Sequence, residues 1–146
     1  MNDRPDEAVQ GGYRLDDQIG YVLRLASQRH AAIFQNLSVM KLTPTQFSAL
    51  VRIAEVGECS QNHLGRLTAM DVATIKGVID RLGKKELVAL NADPADRRRT
   101  LISLTDKAAV LIAELHRVGR MITEETLAPL NSSERRRLLQ LLRKIA

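Results

Sequence analysis

The sequence predicts a mainly α-helical chain with one small β-hairpin wing: a winged helix-turn-helix core flanked by N- and C-terminal dimerisation helices. Three observations lead there. Aromatic residues make up 3% of the 146 residues and tryptophan is absent, while Leu, Ile, Val and Ala supply most of the 45% hydrophobic fraction, a composition suited to helices rather than to a sandwich or barrel. Apolar residues recur at the helical period through most of the chain, with a capping residue where each recurrence begins. Two β-prone runs, LVALN at 87–91 and TLISL at 100–104, break that pattern and are separated by an Asp-Pro turn and three arginines, as in a hairpin. A chain of this length forms one domain and buries roughly two thirds of its unfolded surface.

Taken in order, residues 1–14 are acidic and bear glycines, and read as a flexible arm. From Leu15 a long helix reaches about residue 40, its stripe running Ile19, Val22, Leu23, Ala26, His30, Ile33, Phe34 and Leu37 on one face of a 3.6-residue period. In LTPTQFSALVRIAEVG, Thr43 is an N-cap, Pro44 takes the first helical position and Gln46 completes a capping box, with Gly57 closing the helix. Ser60 then caps a short helix that turns Leu64 and Leu67 inward, and Asp71 caps a third whose buried face is Ile75, Val78, Ile79 and Leu82. The tight turn around Ala69 and Met70 joins the last two at helix-turn-helix spacing. After the hairpin, Thr105 caps a helix of about 20 residues with the stripe Ala108, Leu111, Leu115, Val118 and Ile122, and Asn131 with Glu134 starts another. Residues 41–105 thus form the winged core. The stripes on 15–40 and 106–146 exceed what so small a core covers, which predicts a twofold homodimer built from both termini.

The formal charge is +5 and the isoelectric point about 9.8; residues 97–146 carry a net +6, so the excess begins at the wing arginines. Such a balance implies an acidic partner. In a helix-turn-helix the second helix enters the major groove, and opposite its buried face stand Ala73, Thr74, Lys76, Gly77 and Arg81, small residues for close approach and cations for guanine edges or phosphates. Thr43, Thr45, Ser60 and Gln61 lie at helix starts, where free N–H groups suit phosphate oxygens. Singly, each of these reads better as an ordinary cap or a solvated side chain; together they point to double-stranded DNA. The tip residues Arg97, Arg98 and Arg99 repel one another for no gain to the fold, whereas a wing lying over an A·T-rich minor groove attracts arginine. Asp96 is expected to hold one of these arginines through a paired hydrogen bond.

The stretch SQNHLGRLTAMDVATIKGVIDRLGKKELVALNADPADRRRTLISLTDKA resembles the core of the MarR family of bacterial regulators, DPADRRRTLISLT being its most specific part, and the resemblance spans about residues 15–146. It implies a dimeric DNA-binding transcriptional regulator on a pseudo-palindromic operator, usually a repressor, released by a small and often aromatic effector. It also assigns the minor-groove arginine to Arg98, oriented by Asp96. Glu86 stands where the family has a helix-ending glycine, so the turn into the wing is expected to be strained or to use Gly83 instead; Ala108 replaces another family glycine.

The resemblance places an effector pocket between the dimerisation helices and the winged core, with an aromatic acid or its coenzyme A thioester as ligand. Candidate contacts are Tyr21, Arg24, Arg29, His30, Phe34 and Phe47, each with a bland counterpart in core packing or solvated surface; His30 reads either as a hydrogen-bonded core histidine or as a ligand contact. No catalytic residue and no cofactor is expected: the histidines His30, His63 and His116 are scattered and no His-Glu-x-x-His or phosphate-cradling glycine loop occurs. No metal spacing appears either, so a metal-responsive regulator stands only as an alternative, beside a non-specific architectural DNA-binding protein. The lone Cys59 fits a reducing compartment and an inert thiol. With neither a membrane-length apolar run nor a signal-peptide pattern, a cytoplasmic protein with no membrane partner is expected.

Overall fold

The structure, a computed structural model, describes residues 12–146; the arm expected over 1–14 lies, up to residue 11, outside the described residues. The long first helix does not begin at Leu15. Leu15–Asp17 form a single 3-10 turn, the chain extends at Gln18, and α1 runs Ile19–Leu37, with the Gln18 side chain accepting from the N–H of Tyr21 at 2.6 Å. Then follow α2 (Pro44–Val56), β1 (Cys59–Ser60), α3 (Gln61–Leu67), α4 (Val72–Lys84), β2 (Val88–Ala92), β3 (Thr100–Leu104), α5 (Asp106–Thr126) and α6 (Ser132–Ile145).

The capping signals in the sequence are where these helices start. Thr43 and Gln46 form a reciprocal capping box, as do Asn131 and Glu134, while Ser60, Asp71 and Thr105 each accept from the backbone N–H three residues on, satisfying donors that a helix start otherwise leaves open. The sheet has one strand more than the hairpin. β1 pairs antiparallel with β3, Cys59 opposite Ile102, so the order is β1-β3-β2. Two residues are too short to show a strand periodicity, which is why this strand escapes the sequence.

One core joins the winged region: Leu50, Ile53, Leu64, Ile75, Ile79, Leu82, Leu87, Ile102 and Leu115 are all sealed from solvent. Gly65 lets α3 and α4 meet, since a Cβ there would sit 3.1 Å from the Met70 carbonyl oxygen and 3.2 Å from Ile75. A smaller cluster of Phe34, Val118 and Ile122 joins α1 to α5, with Phe34 and Phe47 edge-to-face at 5.6 Å. The outer part of the α1 stripe is bare: Ile19 is 61% exposed and Val22 45%, and on α6 Ile145 is 69% exposed.

The C-terminal end of α4 is held from two sides. The Lys85 ammonium donates to the Met40 carbonyl at 3.0 Å, and within 3.4 Å to those of Lys41 and the Gln46 side chain. From the other side the Lys107 ammonium donates to the Lys85 carbonyl and the Thr105 hydroxyl to the Glu86 carbonyl. Gly83 stays inside the helix, and the left-handed position falls on Glu86, at φ 59°. The N–H groups of Glu86 and Leu87 reach back to the carbonyls of Gly83 and Leu82, both at 3.0 Å, the pattern that usually carries glycine. A left-handed non-glycine residue costs about 1 kcal/mol, and the exposed Lys107–Glu86 pair at 4.0 Å offsets little of it. Glu86→Gly is therefore expected to stabilise the protein by about 1 kcal/mol, raising the thermal midpoint by a few degrees; a lower midpoint in calorimetry would show that the Glu86 side chain matters more than its backbone.

Candidate nucleic-acid interface

The apolar face of α4 is buried against α2 and α3, which leaves Ala73, Thr74, Lys76 and Arg81 exposed on the opposite face with Gly77 half-buried among them. The helix start is fixed by Asp71, whose carboxylate accepts from the Thr74 N–H at 2.7 Å; that bond holds its carboxyl below the ordinary carboxylate range. Lys76 is not free. Its ammonium lies 3.0 Å from Asp80, one turn on, so contact with an anion has to share or break that exposed pair. Arg81 folds back along the helix, a guanidinium nitrogen lying 3.3 Å from where a Gly77 Cβ would be. Gly77 thus gives that side chain room to lie flat.

The wing tip is organised differently from the expectation. The Asp96 carboxylate pairs with no guanidinium; it accepts from the backbone N–H of Arg98 at 3.0 Å, and the Asp96 carbonyl accepts from the N–H of Arg99 at 2.9 Å. Asp93 likewise accepts from the N–H of Ala95, and its own N–H closes the loop onto the Arg99 carbonyl. Both acids are used as turn formers, because a short carboxylate reaches a backbone donor two residues on more readily than a long, mobile guanidinium. Arg97, Arg98 and Arg99 are left exposed, and none is in an ion pair among the described residues.

Of the remaining candidates, the Thr43 hydroxyl is occupied as cap and lies 3.2 Å from that of Thr45, and Ser60 caps α3, whose first residue is Gln61. Ser60 and Gln61 border the wing, whereas Thr43 and Thr45 stand at the start of α2. Sequence reasoning missed Asn62 and Arg66 of α3, which share an open polar cleft with Arg98 and Arg99; with no apolar partner in sequence they read as solvated surface.

The effector candidates form two groups rather than one site: His30, Phe34 and Phe47 stand in a row with ring centroids 6.3 and 5.6 Å apart, and Tyr21 pairs with Arg24. The Tyr21 ring lies under the Arg24 guanidinium at 5.6 Å. Arg29 caps the end of α5, donating to the carbonyls of Glu125 and Thr126 at 2.8 and 2.5 Å, and His30 Nδ1 lies 3.0 Å from the Thr126 hydroxyl. Phe34 is buried against Phe47. Two of the candidates line clefts: Phe34 borders one of about 540 Å³ beside Ala31, Gln35, Lys41 and Pro44, and Phe47 a space of about 510 Å³ between α2 and α5, walled also by Val51, Leu115, His116, Gly119, Arg120, Thr123 and Glu124. His116 and Arg120 are the imidazole and guanidinium that sequence reasoning passed over as effector contacts, although their four-residue spacing puts them on one face of α5. Cys59 is buried, and loss of solvent pushes its thiol pKa up, away from thiolate chemistry. Among the described residues no three His, Cys, Asp or Glu side chains gather as a metal site, and no helix is long and apolar enough to cross a membrane.

The family model that matches the chain is that of the MarR family, over residues 42–100. The HTH-type transcriptional repressor NicR of Pseudomonas putida is 42% identical over 134 residues, covering 91% of this chain and 85% of that protein. The chain belongs to the MarR family. Its winged helix is the family's transcription-regulator fold. A probable transcriptional regulator from Pseudomonas aeruginosa superposes with a TM-score of 0.89 at 50% identity, covering 91% of this chain and all of that one. Bordetella bronchiseptica BpsR, whose DNA binding is regulated by 6-hydroxynicotinic acid, superposes at 0.87 and 42% identity, covering 92% and 97%.

The two possible roles of Asp96 make opposite predictions. Removing a negative charge from a basic tip tightens DNA binding by Coulomb attraction alone, whereas losing the acceptor for the Arg98 N–H loosens the turn that aims the arginines. Asp96→Ala is expected to weaken DNA binding several-fold in a gel-shift titration; tighter binding would make Asp96 a charge and nothing more.

Proposed function

We propose that this MarR-family regulator is a cytoplasmic homodimeric repressor that reads a pseudo-palindromic operator and lets go when a small aromatic acid binds. The observation that carries the reading is the set of unpaired basic side chains on the exposed sides of α4 and the wing, Arg81 and Arg97 to Arg99, beside acids spent on backbone N–H groups. Ala73, Thr74, Lys76 and Gly77 face base edges; Thr43, Thr45, Ser60 and Gln61 face phosphates; Arg98 enters the minor groove. Residues 15–40 and 106–146 supply the dimer contact, a role supported by the bare apolar stripes of α1 and α6. Two copies set their recognition helices about 34 Å apart, matching successive major grooves.

The test is a competition titration on the DNA upstream of the protein's own gene. A sequence reader prefers its site over bulk DNA by roughly 10³-fold or more, whereas an architectural protein shows little preference and would replace this reading. Arg98→Ala is expected to lower operator affinity by at least tenfold while the dimer persists in sedimentation; unchanged affinity removes the wing from recognition.

For the effector, the α2–α5 cleft combines an apolar floor of Phe47, Val51 and Leu115 with the His116 imidazole and the Arg120 guanidinium at its edge, a setting suited to a flat ring bearing a carboxylate. Among the α1 candidates, Arg29 is spent on the end of α5, Phe34 borders the second cleft, and Tyr21 and Arg24 pair with each other. The likeness to BpsR favours a hydroxylated nicotinic acid over a coenzyme A thioester. Adding 6-hydroxynicotinate is expected to weaken operator binding by about 5- to 150-fold, the usual range of such coupling, and Arg120→Ala to blunt that response without changing ligand-free affinity. An equal response in the variant places the effector elsewhere.

A further inference from the structure

Between the start of α3 and the root of the wing lies an open cleft of about 500 Å³ lined by Ser60, Gln61, Asn62, Arg66, Arg98, Arg99 and Thr100. No carboxylate borders it. Among the described residues Arg66, Arg98 and Arg99 are in no ion pair, and the nearby Asp93 and Asp96 are bound to backbone N–H groups. Arg66 has only His63 Nδ1 beside it, at 3.5 Å, and the Asn62 side chain makes no hydrogen bond among the described residues. Three guanidinium groups around one space repel one another, and what relieves the repulsion is an oxyanion that accepts from more than one of them.

The two walls are also held in fixed relation. Ser60 pairs with Leu101 and Cys59 with Ile102 across the β1–β3 ladder, both Cys59 and Ile102 are buried, and Gly65, next to Arg66, is packed against the Met70 carbonyl and Ile75. The cations therefore face each other across a gap that the core sets in advance, the condition under which a charge-assisted contact loses least to ordering.

We propose that this cleft seats one backbone phosphate of bound DNA, with Arg66 and Asn62 on the α3 side and Arg99 on the wing side, so that a single phosphate ties the helix-turn-helix to the wing. The assignment rests on the DNA-binding reading above and adds Arg66 and Asn62 to it as contacts that position the protein without reading bases. Arg98, one residue further out on the tip, remains free for the minor groove.

Phosphate contacts and base contacts separate in their salt dependence: each neutralised phosphate contributes about −0.9 to the log–log slope of affinity against salt, whatever the sequence. The experiment is a fluorescence-anisotropy titration of the full chain from 50 to 200 mM KCl, on the upstream operator duplex and on a scrambled duplex of equal length, repeated with Arg66→Gln and Arg66→Lys. Arg66→Gln is expected to flatten the slope by about 0.9 on both duplexes and to weaken both alike, roughly five- to tenfold at 0.1 M salt, while Arg66→Lys keeps the wild-type slope. An unchanged slope, or a loss confined to the operator, overturns the seat. In a parallel arm inorganic phosphate is compared with chloride at constant ionic strength; release of wild-type but not Arg66→Gln protein at low millimolar phosphate reassigns the cleft to a free phosphorylated ligand and overturns the DNA assignment. A wild-type protein that binds neither duplex sinks the regulator reading and this one together, whereas tight wild-type binding with an unaltered Arg66→Gln slope sinks this one alone.

Discussion

The close approach of α3 to α4 is the constraint on which the interface depends. Gly65 stands against the Met70 carbonyl and Ile75 with no space for a methyl group, and this contact fixes the angle at which α4 leaves the turn, with Ala69 taking the left-handed conformation between the two helices. Ile75, Val78, Ile79 and Leu82 then fall into the core, and the polar side of α4 faces outward by default. Burial of four aliphatic side chains is worth several kcal/mol, far more than any contact on the outer face. The core therefore decides which residues are offered to a partner, and the outer face is free to be chosen for recognition.

The wing follows a related division of labour between backbone and side chain. Its acids form the turn and its cations stay outside it, so the tip can be well ordered without neutralising the charge it presents. An arginine–carboxylate pair at the same place would have ordered the loop at the expense of that charge. Lys76 with Asp80 on α4 is the opposite case: there the cation is moderated by a neighbour, which reduces unselective attraction along the recognition helix.

Much of this was legible in the sequence because the signals are local. The caps at Thr43, Ser60, Asp71, Thr105 and Asn131 each operate over three residues, and the stripes on α4 and α5 over a few turns, so the pattern names the partner directly. What the sequence hid is non-local or too short. Arg29 and His30 meet Thr126 from 97 and 96 residues away, and no spacing announces a helix-end carbonyl as a partner. β1 has two residues and exists only because β3 offers it an edge. The break at Gln18 replaces a helix that periodicity alone would have continued. Asp96 does reach Arg98, but through its backbone N–H rather than its guanidinium, since residue types alone make the side chain look the natural partner. At Glu86 the sequence flagged strain, and the chain accepts it because Leu87 must enter the core immediately after the helix.

The grip on the end of α4 has a mechanical consequence. Lys85 fastens that end to the corner between α1 and α2, while Lys107 and Thr105 fasten the following residues to the beginning of α5, and Arg29 in turn clasps the far end of α5 to α1. The recognition helix has no loose terminus about which to pivot. A displacement of either long helix is therefore passed directly to the C-terminal end of α4, as the jaw of a calliper travels with its beam.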